Sequence, residues 1–255
     1  MNDVPAALYE IRGLTKRYGD RVILDHLDFD IRKGECLVIL GRSGSGKSVT
    51  LRQLNGLEKP ESGQVVFDGT DLTGLEEREL FPCRRRIAML FQSGALFDSM
   101  NVFDNVAFPL REHTRNSEAE IAESVRHRLS QVGLREIESK MPSDLSGGMK
   151  KRVALARSLV LDPEVMLFDE PTTGLDPITS ATIGKLINSI RKELGVTAVV
   201  VTHDIPLAHR VGDRIALLVE GKFRFLGDWR EAESSNDPQL TDFLAGREEE
   251  VENVA

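Results

Sequence analysis

The chain predicts an α/β fold in three parts: an antiparallel, β-rich start, a parallel αβ core, and a helical segment inserted into that core. Three observations carry this. Cys36-Leu37-Val38-Ile39-Leu40 is a continuous apolar run, the pattern of a strand buried on both faces of a parallel sheet. Directly after it, Gly41-Arg42-Ser43-Gly44-Ser45-Gly46-Lys47-Ser48 opens into helical sequence. From 93 to about 162 strong strand patterns vanish, and Ile121, Val125, Leu129 and Val132 form a stripe at helical spacing.

The elements follow in order. Alternation and close spacing predict antiparallel strands at 8–14, 22–24 and 27–31, broken by Tyr18-Gly19-Asp20. A core strand at 35–40 feeds a helix at 47–57. A strand at 64–67 ends in the Asp68-Gly69 turn, and a buried strand at 87–91 ends at Gln92. Helices at 117–132 and 146–160, separated by the break Pro142-Ser143-Asp144, make up the insertion. Strands return at 165–168, 197–202 and 214–219, with a helix at 178–194. The expected organisation is one large domain at 1–236, with the helical part inserted at about 93–162, and a C-terminal extension at 237–255. The acidic run Arg247-Glu248-Glu249-Glu250-Val251-Glu252 is expected to fray.

Composition narrows the function. Forty-one acids against 33 bases give a net charge of −8, which argues against nucleic acid as the main partner. Two cysteines make no disulfide framework: Cys36 is expected buried in its apolar run, and Cys83, before Arg84-Arg85-Arg86, partly exposed. Met1-Asn2-Asp3-Val4-Pro5 has neither the basic region nor the apolar core of a signal peptide. No apolar run approaches membrane-spanning length. The expectation is a soluble protein of a reducing compartment that reaches any membrane through a partner.

The chemistry lies in a few short runs. Gly41-x-x-x-x-Gly46-Lys47-Ser48 is a complete phosphate-loop pattern, placed between a strand and a helix. Its glycines let the backbone of Gly41, Arg42, Ser43, Gly44, Ser45, Gly46 and Val49 approach phosphates closely. Lys47 neutralises their charge and Ser48 offers a hydroxyl to Mg²⁺, so ATP and Mg²⁺ are the expected cofactors. Ser146, Gly147 and Gly148, in Leu145-Ser146-Gly147-Gly148-Met149, open a second helix with free N–H groups at its positive end. That is a second anion site. Val165-Met166-Leu167-Phe168 ends in Asp169, followed at once by Glu170; a carboxylate just beyond a magnesium-supporting aspartate can polarise an attacking water.

Two phosphate-binding helix starts with one set of carboxylates resemble the ATP-binding cassette (ABC) family, from about Tyr9 to Gly227. The resemblance implies an ABC-type P-loop nucleotidase, with a RecA-like core, an antiparallel β subdomain and an inserted helical subdomain. It implies that Asp169 supports Mg²⁺, that Gln92 senses Mg²⁺ and the γ-phosphate, that His203 is the switch histidine and that Tyr18 stacks on adenine. Val49 stands where the family usually carries a second hydroxyl residue, for which a modest loss of affinity is expected. In this fold the signature helix faces away from its own phosphate loop. One loop and one signature therefore imply a head-to-tail homodimer, with Asp176, in Gly174-Leu175-Asp176, on the loop that crosses the seam.

The kind of ABC protein narrows further. The chain lacks a long heptad insertion, a Cys₄ zinc pattern, a second cassette and a fused membrane span, which leaves the detached ATPase subunit of a transporter. Met149 in the signature, Leu145 to Arg152 as a whole, and the run from Phe91 to Leu110 are similar to the Mce/Mla-type (MlaF-like) phospholipid-transport ATPases. That likeness implies an integral membrane permease, an Mce-domain lipid-binding protein and, in some relatives, a STAS-domain accessory protein. It places the chain on the cytoplasmic face of a bacterial inner membrane. Ala95, Leu96, Phe97 and Met100 are expected to expose an apolar patch for a permease helix, while Phe103, Val106 and Phe108 belong to the core. The ATPase of a small-solute importer, and a soluble ABC ATPase acting on DNA or ribosomes, are the alternatives.

Overall fold

The computed structural model describes residues 7–247, so the residues 1–5 and the glutamates of the acidic run lie outside what is described. β1 (Ala7–Tyr18) and β2 (Arg21–Arg32) form one long antiparallel hairpin, where the sequence predicts three short strands. The cause is a set of bulges. Register slips between Ile11 and Leu14, and His26 has φ +53, so Leu24 and Leu27 both point inward and the period-2 pattern breaks. The predicted break at Tyr18-Gly19-Asp20 is the tight turn of this hairpin.

β3 (Cys36–Leu40) is fully buried and leads through the glycine loop into α1 (Lys47–Leu54), which stops at Asn55-Gly56, short of residue 57. β4 (Ser62–Phe67) and β5 (Thr70–Asp71) complete the small sheet. α2 (Glu77–Arg86) was not legible, because only Leu80 and Cys83 are buried on it; a capping box between Glu76 and Glu79 starts it. Cys83 is buried rather than partly exposed, since it lies on the inner face of this helix.

After β6 (Ile87–Leu90), α3 (Val102–His113), α4 (Glu118–Gln131) and α5 (Gly147–Leu159) form the helical insertion, with a 3₁₀ turn at Pro142–Asp144. Ser117 and Glu120 form the capping box of α4, and Ser146 caps α5. β7 (Val165–Asp169), α6 (Pro177–Leu194), β8 (Thr197–Thr202), α7 (Ile205–Val211) and β9 (Arg214–Val219) return to the core. β10 (Lys222–Asp228), α8 (Trp229–Glu233) and α9 (Pro238–Leu244) follow, and α9 buries Leu240 against the larger core.

The strands make two sheets, a four-stranded one ordered β2-β1-β4-β5 and a six-stranded one ordered β10-β9-β3-β8-β7-β6. In the second, β6, β7, β8, β3 and β9 run parallel, and β10 closes one edge antiparallel. Leu37 and Ile39 face the small sheet and α1, while Cys36, Val38 and Leu40 face the opposite side, where α7 packs on β3. The register sets Leu40 beside Thr202 and Asp169 beside Val201. The loops after β3, β7 and β8 therefore leave the sheet together at its carboxyl edge, where ligands of such sheets bind.

Candidate nucleotide site

The phosphate loop wraps the start of α1. Gly44 and Gly46 have φ +80 and +108, and a Cβ on Gly46 would come within 2.8 Å of Leu24 and 2.9 Å of the Ile23 carbonyl. Only glycine fits there. Lys47 Nζ turns back into the loop and donates to the carbonyls of Gly41 (2.8 Å) and Arg42 (3.0 Å). Ser48 Oγ donates to Asp169 Oδ1 at 2.7 Å, tying the loop's hydroxyl to the carboxylate at the end of β7. Burial pushes the Asp169 carboxyl above its ordinary value; the Ser48 hydrogen bond opposes this and the neighbouring Glu170 adds to it.

Glu170 has φ +46 and is held on every side. Its Oε1 lies 3.3 Å from Lys47 Nζ and its Oε2 3.0 Å from His203 Nδ1. Thr173 and Thr202 donate their hydroxyls to Oε2, each at 3.3 Å. A cavity of about 540 Å³ collects Tyr18, Ser43, Gly44, Gly46, Lys47, Ser48, Val49, Gln92, Glu170 and His203. Ten residues singled out in the sequence thus meet in one place. Asp169 faces an adjoining cleft with Ser48 and Gln92. Ser45 Oγ is buried without a hydrogen-bond partner among the described residues. Gly41, Arg42 and Ser45 line a separate hollow against α9.

Tyr18 sits at the cavity rim, half-exposed, with its hydroxyl donating to Glu58 Oε2 at 2.5 Å. Burial, and then that carboxylate, push its phenol above the usual value. Ser146, Gly147, Gly148 and Asp176 do not line this cavity. Ser146 Oγ accepts from the Met149 N–H, and Gly147 and Gly148 lie against Leu175 and Thr179. A Cβ on Gly148 would reach within 2.6 Å of Thr179 Cγ2. The Asp176 carboxylate caps α6, accepting from the Ile178 and Thr179 N–H groups at 3.0 Å each.

Sequence reasoning missed several residues here. Arg21, Ile23, Arg52 and Thr173 line the cavity, and Arg52 pairs with Glu58 at 3.0 Å. Thr202 carried a signal, its place beside His203; Arg52 carried none, since a basic residue in a helix is ordinarily a solvated face. Lys151 on α5 was also missed. It is buried, donates to the Gln92 carbonyl, and lies 3.5 Å from the Glu170 carbonyl. Burial lowers its ammonium pKa, while Asp169 and Glu170 act in the opposite direction.

A phosphate loop on one strand, paired carboxylates two strands away and a histidine on the strand between define a P-loop nucleotidase. Residues 24–173 match the family described as ABC transporter, and residues 141–208 also match one described as AAA domain, putative AbiEii toxin, Type IV TA system. The chain is 41% identical over 246 residues to the intermembrane phospholipid transport system ATP-binding protein MlaF of Escherichia coli K12, covering 96% of this chain and 91% of that one. It is 44% identical over 238 residues to the probable ribonucleotide transport ATP-binding protein mkl of Mycobacterium leprae, covering 93% of this chain and 69% of that one. Among solved structures, the dimeric cassette MJ0796 bound to ADP and Pi superposes with a TM-score of 0.80 at 34% identity, over 86% of this chain and 98% of that one. CbiO1 of Clostridium perfringens, part of the ABC transporter complex cbiONQ, gives 0.82 at 33% identity, over 90% and 91%. The chain belongs to the ABC transporter family and has its cassette fold; it is an ABC transporter ATPase. No helix among the described residues is long and apolar enough to cross a membrane.

Proposed function

We propose that this ATPase energises phospholipid transport between the membranes of a diderm bacterium, working as a homodimer beneath an integral membrane permease. The observation that carries the lipid reading is the match to MlaF, which extends over 94–96% of this chain and 90–91% of the MlaF sequences. The mkl likeness is slightly higher in identity, 44% against 41% for the Escherichia coli MlaF, but spans 69% of the Mycobacterium leprae protein. In this reading the chain sits on the cytoplasmic face of the inner membrane, with an Mce-domain lipid-binding protein and a STAS-domain accessory protein as further components.

At the site, ATP lies in the cavity with its phosphates on the loop from Gly41 to Val49 and its adenine against Tyr18. The donor set suits a hard divalent cation, a hydroxyl from Ser48 already hydrogen-bonded to Asp169, with Gln92 beside them. Bound there, Mg²⁺ would neutralise phosphate charge. Glu170 orients and polarises the attacking water, and His203 lies against both Glu170 and the γ-phosphate position. Lys47 shifts from Glu170 to phosphate. Ser146, Gly147 and Gly148 close the partner's site, with Asp176 at the seam between protomers. Their exclusion from the chain's own phosphate cavity supports this division.

The test is purification of the full-length chain from detergent-solubilised membranes, identification of what accompanies it and extraction of bound lipid. An Mce protein, a permease and phospholipid support the reading. A permease with a solute-binding protein and no lipid points to a small-solute importer, and ribosomes or DNA without a permease point to a soluble ATPase.

A further inference from the structure

α5 does more than present Ser146 at its start. One turn into the helix, Lys151 carries a buried side chain (6% exposed) that donates to the carbonyl of Gln92 and reaches the carbonyl of Glu170 at 3.5 Å. Among the described residues it has no carboxylate within ion-pair distance. An ammonium taken out of water and left without a charged partner is costly, and it persists where specific acceptors hold it. Its acceptors are the main chains of the two residues read above as acting on the γ-phosphate and water.

The geometry distinguishes Lys151 from its neighbours on α5. Arg157 also fastens the glutamine loop, donating to the Gly94 carbonyl at 3.0 Å, and Ala154 packs against Gly94. The loop is therefore anchored without Lys151. Among the described residues, Lys151 alone joins it to Glu170 by hydrogen bonds. Glu170 needs such support, because a glutamate at φ +46 sits in the left-handed region that L-residues avoid. Its peptide can relax by rotation, and that would swing the carboxylate away from Thr173, Thr202 and His203.

We propose that Lys151 is a positioning residue, a clamp from the signature helix that fixes the Gln92 and Glu170 backbones so that both side chains face one reacting centre. The inference rests on the reading of Glu170 and Gln92 as catalytic groups. It goes beyond that reading by tying them to the helix whose N-terminus serves the partner's nucleotide.

The test compares Lys151→Met, Lys151→Gln and Lys151→Arg in the full-length protein, measuring ATP affinity, kcat and thermal melting, with Glu170→Gln in parallel. Met fills the same space without donors. Lys151→Met should melt near wild type and bind ATP within about threefold, while kcat falls by about tenfold or more. Lys151→Arg, which keeps donors, should recover most of kcat. A kcat within about twofold of wild type for Lys151→Met overturns the proposal, as does a parallel loss of affinity, melting temperature and kcat. If Lys151→Met does not fold, the same criteria apply to Lys151→Gln, and failure of both to fold makes the residue structural and overturns the proposal. An active Glu170→Gln removes the catalytic reading and this inference with it; an inactive Glu170→Gln beside an active Lys151→Met overturns the inference alone.

Discussion

His203 Nδ1 stands 3.0 Å from Glu170 Oε2, joining the loop after β8 to the carboxylate after β7. The two side chains differ sharply in setting. His203 is 61% exposed and Glu170 10%, so the imidazole reaches in from solvent to a carboxylate fixed from behind. Both strands are neighbours in the parallel sheet, and their register places the Glu170 N–H on the Val201 carbonyl at 3.0 Å. Each residue stands one position beyond its strand, so the sheet register sets the spacing of the pair.

Replacing Glu170 by Gln keeps the shape and hydrogen-bonding reach of the side chain and removes its negative charge. Steady-state turnover should fall at least about a hundredfold, the general-base contribution, while ATP binding persists. His203→Ala should cost turnover without abolishing nucleotide affinity. Glu170→Gln turning over near the wild-type rate would exclude Glu170 as the base.

Lys47→Ala removes the cation that contacts Gly41, Arg42 and Glu170 in the loop. ATP affinity measured by calorimetry should drop, since the phosphates lose their nearest charge, and Glu170 is left buried without its ion pair. Unchanged affinity would contradict the phosphate-loop assignment.

Much of this site was legible because its chemistry is local in sequence. A strand, a glycine loop and a helix follow one another from Cys36 to Leu54, and Asp169 and Glu170 terminate an unbroken apolar strand. The parallel core strands were readable for the same reason, as continuous apolar runs. The hairpin was misread where bulges at Gly13 and His26 reset the alternation. α2 and β10 carry too few buried residues to show a period: α2 buries two, and β10 lies at an edge with mostly half-buried or exposed side chains. Lys151 was invisible because its role depends on carbonyls 59 and 19 positions away. No pattern of residue types encodes that.

Mixing Ser146→Arg chains with Lys47→Ala chains probes the shared site. In the mixed dimer one site carries both defects and the other none, so ATPase activity should reappear from two inactive proteins. Full activity in a form that stays monomeric by light scattering would refute the head-to-tail arrangement.

Glu164 pairs with Arg86 at 2.6 Å, joining the start of β7 to the end of α2. The Arg86 guanidinium holds the Glu164 carboxyl below its ordinary value of 4.5. A carboxyl whose folded value is depressed contributes stability above the unfolded value and loses it as pH falls through the folded one. Glu164→Gln should therefore be less stable than wild type at pH 7, by roughly 0.2–1 kcal/mol for a pair this exposed, with the gap closing in acid. Urea unfolding at several pH values checks it; a gap that widens in acid contradicts the assignment.

If the proposed permease contact lies on the segment after Gln92, its exposed apolar surface is smaller than the sequence predicts. Leu96 and Met100 are half-buried, with Leu96 packed on the core, whereas Phe97 is 42% exposed and Phe91 39%. Val106 is core as expected, but Phe103 and Phe108 are only partly buried, and Phe108 supports Phe97 with ring centroids 5.1 Å apart. Arg157 lies over the Phe97 ring at 5.5 Å while holding the Gly94 carbonyl. Phe97 is therefore an exposed aromatic fixed on a frame that leads directly to Gln92, the form of an interface anchor. Phe97→Ser should leave ATP binding and melting close to wild type and weaken assembly with the permease by roughly 1–3 kcal/mol. Affinity measured between the purified permease and the variant checks this. Unfolding of Phe97→Ser would assign the ring to the core, and unimpaired assembly would place the coupling surface elsewhere.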